Sequence, residues 1–331
     1  MNRSAQLALS ALLLLFGTLA PFLVPNFVVQ LSFLWVMIVL ALTWDLVGGQ
    51  MGYNSFGNVV FFGIGCYAAA VVQRDWGLDY FAGLAAGSAL GVVAALLAAM
   101  LLGMAILPLR GHYFAICTLG LGIAAGEIAS GWGYVGAGAG MTPPVYPGEV
   151  HGREVFFYYV FAVLALVCFI VLRWLYRTRF GLAINAIRDD EDKAEAMGLR
   201  TTNFKIAAWC IAAVFLALAG AGVGHMIGFI DPRQVAFAGE TYGVWMVLMA
   251  ILGGTGTLWG PVLGAVVFHV TQELFWTYFL GFQRIALGLL IVAIVVFFPQ
   301  GILGWARERW PALFEAKPAG LPGGVAGEAR R

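Results

Sequence analysis

The charged residues that could take part in chemistry are concentrated in one segment, 177–205, of an otherwise apolar sequence. Their order provides no acid, base or metal-ligand set at a workable catalytic spacing. The sequence also lacks H-E-x-x-H, G-x-S-x-G and G-x-x-x-x-G-K-[ST], the signatures of zinc proteases, serine hydrolases and P-loop ATPases. We therefore expect that this chain is not an enzyme and does not itself hydrolyse ATP.

The 177–205 segment predicts a short amphipathic helix. Four apolar side chains recur near one face at helical spacing, while charged residues occupy the rest. They are Ala183, Ile187, Ala194 and Met197. Asp189 or Asp190 can cap such a helix at its N-terminus, and Gly198 can end it. We expect one buried face and one charged face.

Two glycine-rich breaks interrupt apolar runs, the first at 48–57 and the second at 253–261. Breaks at corresponding positions in two halves of a membrane protein point to a transport site. A zwitterionic solute needs hydrogen-bond donors and acceptors there, without a strong fixed charge that would trap it. The candidate pathway residues are Gln50, Asn54, Ser55, Asn58, Gly253 and Gly254.

Several ionisable residues lie inside apolar runs, where each is costly unless it faces a partner or a cavity. They are Asp45, Glu127, His225, His269 and Glu273. Each is open to two interpretations: a pathway group, or a residue that makes an interhelical hydrogen bond or lies near the headgroups. The four cysteines also lie in apolar stretches and show no C-x-x-C spacing, so we expect no metal site and no disulfide framework.

The elements that must position these residues are membrane-spanning helices. The chain is 62% hydrophobic and 11% charged, against about 45–50% and about 25% in soluble domains. Apolar runs of roughly 20 residues cross the hydrocarbon core as helices, and this chain has such segments at 6–24, 28–47, 57–73, 80–107, 112–130, 155–176, 206–230, 241–256, 258–279 and 283–304. We predict an all-α polytopic fold of about 8–10 transmembrane helices with glycine-rich broken segments. Gly83, Gly87 and Gly91 recur every four residues and predict a face that meets another helix.

Lys and Arg are distributed unevenly between the loops, fourteen on one side and four on the other. Cytoplasmic loops carry the excess, so we predict a cytoplasmic 177–205 loop, an external 131–154 loop and cytoplasmic termini. Both glycine-rich breaks then lie on the same side, so either they form no inverted repeat or the helix number is wrong. Residues 1–310 form the transmembrane domain, and the Ala/Gly/Pro-rich tail 311–331 is expected to be disordered.

Three groups of residues carry a family resemblance. The first is Arg188-Asp189-Asp190-Glu191 with Ala194-Glu195-Ala196-Met197-Gly198-Leu199, preceded by Phe180-Gly181. The others are the block 252–265 and Phe298-Pro299-Gln300-Gly301-Ile302. Together they resemble bacterial ATP-binding-cassette (ABC) importer permeases for branched-chain amino acids, in the LivM-like branch. The first break departs from that pattern, reading Tyr53-Asn54-Ser55-Phe56-Gly57-Asn58 where many relatives have a Leu-Ser-Leu-Gly-His-like run.

The resemblance implies a permease subunit that imports branched-chain amino acids or a related small solute across the bacterial inner membrane. It implies four further partners: a second permease, two cytoplasmic ATPases that use the ATP, and an external solute-binding protein. The chain itself would bind no cofactor. The ATPase-coupling residues would be Arg188, Asp189, Asp190, Glu191, Ala194, Glu195, Ala196 and Gly198.

Two questions stay open at this level. The solute could be leucine, isoleucine or valine, or another amino acid, urea, an amide or an aromatic acid, because the binding protein usually selects it. The alternative function is a stand-alone secondary transporter or channel for a small polar solute, in which Glu127, Glu273 and His269 would couple ions.

Overall fold

The computed structural model describes residues 15–278, 288, 292 and 301–309. These residues are almost entirely helical, and their one β interaction is a bridge between Met141 and Ile230. The helices are α1 (15–23), α2 (Val28–Asp45), α3 (Val59–Trp76), α4 (Tyr80–Ile106), α5 (Gly111–Gly131), α6 (Val150–Leu175), α7 (Arg179–Asp189), α8 (Glu191–Ala196), α9 (Thr201–Ile227), α10 (Val244–Gly253), α11 (Trp259–Tyr278) and α12 (Gly301–Arg309).

Six stretches of the described chain are long and apolar enough to cross a membrane. They are Pro25–Gln50, Tyr80–Ile106, Gly111–Gly131, Val150–Leu175, Thr201–Ile227 and Pro232–Gly253. Helices α3 and α11, of 18 and 20 residues, pack beside them in the bundle. The predicted all-α, polytopic class is therefore confirmed. Most of the predicted 283–304 span and the whole 311–331 tail lie outside the described residues.

Some helix boundaries differ from those predicted. Helix α6 begins at Val150, five residues before the predicted start at 155, because its charged first turn falls outside an apolar window. Helix α9 begins at Thr201, five residues before the predicted start at 206, because four of its first five residues are polar or charged. The predicted 241–256 span is the ten-residue α10 preceded by two π-helical turns, Pro232–Ala236 and Gly239–Gly243. This element is thus a broken span.

Helices α2 and α9 form the centre of the bundle. In each, 72% of the membrane-spanning window is buried, against 28% in α4 and in α5. Helix α9 packs against α3, α4 and α6, and α2 packs against α6, α10 and α11. A movement at the end of α9 therefore acts on several helices at once.

Helices α3 and α4 approach closely along the glycine face predicted from the sequence. A Cβ atom on Gly87 would lie 2.6 Å from Ala69 Cα, and one on Gly91 would lie 3.4 Å from Gly65 Cα. Small residues let helix backbones come together in lipid, where packing rather than the hydrophobic effect holds helices together. The predicted helix–helix contact is confirmed.

Candidate functional site

The 177–205 segment folds into two short helices, α7 and α8. Thr178 Oγ1 accepts a hydrogen bond from Phe180 N at 3.2 Å and caps α7. Asp190 has extended backbone between the helices, and its Oδ1 accepts from Lys193 N at 3.0 Å, which caps α8. The predicted Asp190 cap is confirmed. The predicted short helix between Asp190 and Gly198 is α8, but the apolar face predicted from Ala183 to Met197 is divided between two helices, because the extended Asp190 separates α7 from α8.

Gly198 ends α8 with φ +89°, a left-handed conformation that glycine adopts without strain. Its N–H donates to Glu195 O at 2.8 Å, and Leu199 N donates to Ala194 O at 3.1 Å. This pair of bonds is the Schellman motif, which satisfies the last helical carbonyls. The predicted role of Gly198 as the C-terminal stop is confirmed.

The predicted apolar face of this segment is correct in three positions and wrong in one. Ala183, Ile187 and Ala194 are buried, whereas Met197 is 89% exposed. Helix α8 ends at Ala196, so the chain turns before Met197 could join the buried face. The end of α8 therefore carries an exposed methionine side chain.

Glu191, in the first turn of α8, connects this helix to the ends of other elements. Its Oε1 lies 2.7 Å from Lys205 Nζ, at the start of α9. Its Oε2 accepts a hydrogen bond from the Tyr53 hydroxyl at 2.5 Å and lies 3.3 Å from Arg110 Nε. The carboxylate thus joins α8 to α9, to the first glycine-rich break and to the residue preceding α5.

Lys205 is buried, and all three of its ammonium protons have acceptors. Besides Glu191, its Nζ donates to Tyr53 OH at 3.0 Å and to Leu107 O at 2.8 Å. The Nζ also lies 4.8 Å from the centroid of the Tyr53 ring. A buried charge is tolerated only when it is paired and hydrogen-bonded in this way. We call Tyr53, Leu107, Glu191 and Lys205 the coupling hub.

The electrostatics of the hub favour an ionised Glu191 and a neutral Tyr53. Burial raises the pKa of Glu191. Hydrogen bonds from Lys205 and Tyr53 and the charges of Lys205 and Arg110 together outweigh burial, so the pKa lies below its ordinary 4.5. Burial, and then the hydrogen bond to Glu191, raise the pKa of Tyr53 above its ordinary 10. At neutral pH the hub is therefore a charged pair with a phenol that donates to the carboxylate.

The two glycine-rich breaks meet each other beside α7. Asp45 Oδ1 accepts a hydrogen bond from Gly256 N at 2.8 Å. A Cβ on Gly49 would lie 1.9 Å from that oxygen and 2.7 Å from Gly256 N, so only glycine fits there. Cβ atoms on Gly52 and Gly256 would lie 3.1 Å and 3.4 Å from the Arg188 side chain. Both breaks therefore lie at the α7 end of the bundle, as the loop charges predicted.

The candidate pathway residues of the first break differ in their exposure. Asn54 is exposed, whereas Gln50, Ser55 and Asn58 are buried. Asn58 Oδ1 accepts from Trp209 Nε1 at 2.9 Å, and Ser55 O accepts from Trp44 Nε1 at 2.8 Å.

The two glycines of the second break sit at the α10–α11 junction. A Cβ on Gly253 would lie 1.7 Å from Gly260 O, so this position requires glycine. Gly254 follows with φ +110°. A pathway through either break remains a prediction.

The other ionisable residues inside the bundle divide into two kinds. His225 Nε2 lies 2.7 Å from Gln73 Oε1, and His269 Nε2 lies 2.8 Å from Gln30 O, so both histidines make interhelical hydrogen bonds. Glu127 instead lies on the exposed surface, with Oε2 2.7 Å from Arg233 Nη2.

Sequence reasoning missed the coupling hub. Its members come from distant parts of the chain, and Tyr53 and Lys205 are 152 positions apart. One signal was available, because Lys205 immediately precedes an apolar run and lies fourteen positions after Glu191.

Comparisons with known proteins identify the family to which the chain is similar. The family model for the permease component of the branched-chain amino acid transport system matches residues 26–298. The chain is 29% identical to the high-affinity branched-chain amino acid transport system permease protein LivM of Salmonella typhimurium, over 90% of this chain and 75% of that protein. It is also 29% identical to LivM of Escherichia coli, over 92% and 76%. A shorter match, 34% identical over 33% of each chain, is to the autoinducer 2 import system permease protein LsrC of Photorhabdus laumondii. No solved structure matches the chain.

Proposed function

We propose that this chain, which belongs to the branched-chain amino acid transport system permease family, converts movement of a cytoplasmic ATPase into opening of a solute route. It is a multi-pass permease component. In the proposed assembly it pairs with a second permease, two ATPase subunits and an external solute-binding protein. ATP is bound and hydrolysed by the ATPases. The assembly lies in the bacterial inner membrane, with α7, α8 and both termini of this chain on the cytoplasmic side.

The observation that carries the proposal is that α8 has an exposed outer surface and is also bonded to the helices behind it. A docking helix must offer an outer surface to its partner and be tied firmly to the helices that it moves. Met197 provides exposed apolar surface at the end of α8, a helix that also carries the exposed charged residues Asp192 and Lys193. Glu191 ties the other side of α8 to Lys205 and Tyr53 through bonds of 2.7 Å and 2.5 Å. Displacement of α8 therefore pulls on α9 and on the first break together.

The solute proposed is a branched-chain amino acid or a related small solute. The support is the family membership and the chemistry of the breaks, which offer amide and hydroxyl groups without net charge. Relatives named for autoinducer 2 import share part of the chain, so the permease scaffold serves more than one solute class. Gln50, Asn54, Ser55, Asn58, Gly253 and Gly254 remain the proposed pathway residues.

The test is co-purification of the ATPase with this chain. Met197→Asp places a charge on the proposed docking surface without disturbing the fold, because Met197 is 89% exposed. Val145→Asp is the matched control, since Val145 is 85% exposed in the loop between α5 and α6, at the other end of the bundle. We expect M197D to lose the ATPase and V145D to retain it.

Equal retention by both variants would overturn the docking assignment. Uptake measurements test the wider function, because the proposal requires ATP-dependent uptake by vesicles that hold the complete assembly. Uptake by this chain alone, driven by an ion gradient, would instead favour the stand-alone transporter.

A further inference from the structure

An ion pair lies on the exposed surface of the bundle at the end opposite α8. Glu127 Oε2 and Arg233 Nη2 are 2.7 Å apart, and their side chains are 57% and 62% exposed. Both residues fall within membrane-spanning stretches, Gly111–Gly131 and Pro232–Gly253. Exposed ionised groups at such positions do not face lipid chains, because hydrocarbon cannot solvate them. Glu127 lies four residues before the end of its stretch and Arg233 is the second residue of the other, so the pair lies at the level of the headgroups and the adjoining water.

The position of the pair along α5 fixes which end of the bundle it occupies. The N-terminal end of α5 adjoins α8, because Arg110 Nη1 lies 2.6 Å from Asp192 Oδ1. Glu127 lies sixteen residues beyond Gly111, about 24 Å further along the axis at 1.5 Å per residue. In the proposed orientation this is the external mouth, where a solute arrives from the binding protein.

Arg233 is held on a preformed turn rather than on a free loop. Asp231 Oδ1 accepts hydrogen bonds from Arg233 N at 2.8 Å and Gln234 N at 2.6 Å, capping the π-helical turn Pro232–Ala236. That turn packs against α5, where a Cβ on Gly126 would lie 3.5 Å from Phe237 Cβ. The two charges thus come from side chains of different elements, and those elements pack against each other.

One face of α5 next to the pair carries small residues that no described side chain covers. Gly120, Ala124 and Glu127 share one helix face at i, i+4 and i+7. All three are exposed, and a Cβ on Gly120 would meet no atom within 4 Å. A solute bound at Glu127 and Arg233 has an open strip of α5 beside it.

The charges of the pair match those of one solute class. A guanidinium binds a carboxylate through two parallel hydrogen bonds, and a carboxylate binds an ammonium group. The pair carries no net charge, and an exposed ion pair is weak enough to open. We propose that Glu127 and Arg233 form an external recognition site for a zwitterionic amino acid, with Arg233 on its carboxylate and Glu127 on its ammonium. This inference rests on the proposed importer function.

The experiment measures two activities of the assembled transporter in proteoliposomes. These are ATP-dependent uptake of radiolabelled L-leucine and ATP hydrolysis stimulated by the solute-loaded binding protein. We expect E127Q and R233Q each to reduce uptake at least tenfold, with ATP hydrolysis within twofold of the wild type. R233K, which keeps the charge but not the planar fork, is expected to recover part of the uptake.

Arg74→Gln is the matched control. Arg74 forms another exposed ion pair at the same end, with Asp75 at 2.7 Å, and donates to Tyr134 O at 2.7 Å, so R74Q removes bracing contacts at this end without touching the proposed site. R74Q is expected to keep full uptake.

Three outcomes would overturn the proposed site. E127Q and R233Q could behave like R74Q, or R233K could behave like R233Q. Loss of uptake and ATP hydrolysis together would show that the pair only braces the external end. A wild-type assembly with no ATP-dependent uptake of L-leucine would instead contradict the proposed function on which the site depends.

Discussion

Lys205 depends on Glu191, because the Lys205 side chain is only 3% exposed and water cannot compensate its charge. Breaking a buried ion pair by removing one partner costs about 3–5 kcal/mol, since the other charge remains buried. We therefore expect Glu191→Gln to destabilise the chain by roughly that amount. Thermal unfolding of the purified protein in detergent would measure the change.

Asp192→Asn is the control for this substitution. Asp192 pairs with Arg110 in the same turn of α8, but its side chain is 78% exposed. Surface ion pairs contribute about 0–1 kcal/mol, so this variant should unfold near the wild-type temperature. The double variant Glu191→Gln with Lys205→Met removes both buried charges and should recover most of the stability. A double variant as unstable as E191Q would contradict the buried-charge explanation.

Acid should weaken the hub in a definite pH window. The pKa of Glu191 is lowered below 4.5 in the folded chain, so the unfolded chain binds its proton first as pH falls. The stability that Glu191 contributes is therefore complete above about pH 4.5 and is lost as pH falls through the lowered value. We expect the melting temperature of the wild type to fall more steeply below pH 4.5 than that of the E191Q/K205M double variant. Parallel curves would contradict this.

At the level of helices, the close contact of α3 with α4 depends on Gly87. A Cβ there would lie 2.6 Å from Ala69 Cα, a backbone atom that cannot move aside alone. Gly87→Ala should therefore separate the two helices and destabilise the chain by about 1–3 kcal/mol, the range for overpacking. The measurement is again thermal unfolding in detergent.

Gly152→Ala provides the comparison in another membrane helix. A Cβ on Gly152 would meet nothing within 4 Å, and alanine has the higher helix propensity. This variant should be as stable as the wild type or more so. If G87A were equally well tolerated, the close packing of α3 and α4 would not hold in the membrane.

The sequence predicts those features that depend on residues close together in the chain. The spans were predictable because every backbone group inside lipid must be paired, which leaves long apolar helices as the solution. The cap at Asp190 and the stop at Gly198 were predictable because each acts on residues at most four positions away. The exposure of Met197 was not, because it depends on the residue at which α8 ends. The coupling hub was not, because chain separation hides the approach of Tyr53 to Lys205.

Across the whole molecule, the α7–α8 segment, both glycine-rich breaks and the start of α9 gather at one end. Asp45 and Gly256 join the two breaks through a 2.8 Å hydrogen bond, and Arg188 of α7 packs against both. A displacement of α7 and α8 therefore acts on both breaks, one through Tyr53 and the other through the contact at Gly256. The opposite end carries the Glu127–Arg233 pair, about 24 Å further along α5. The proposed docking and recognition sites thus lie on opposite sides of the membrane.

This two-sided arrangement predicts an asymmetric labelling pattern in intact cells. With the four native cysteines replaced, Met197→Cys and Val145→Cys each introduce one thiol at a residue that is 89% or 85% exposed. A membrane-impermeant maleimide should label the cysteine at 145 in whole cells, and should label the one at 197 only after the membrane is opened. The excess of Lys and Arg in the 177–205 loop gives the physical reason, because positively charged loops remain in the cytoplasm. Labelling of the cysteine at 197 in intact cells would show that α8 lies outside the cell, where a cytoplasmic ATPase could not bind it.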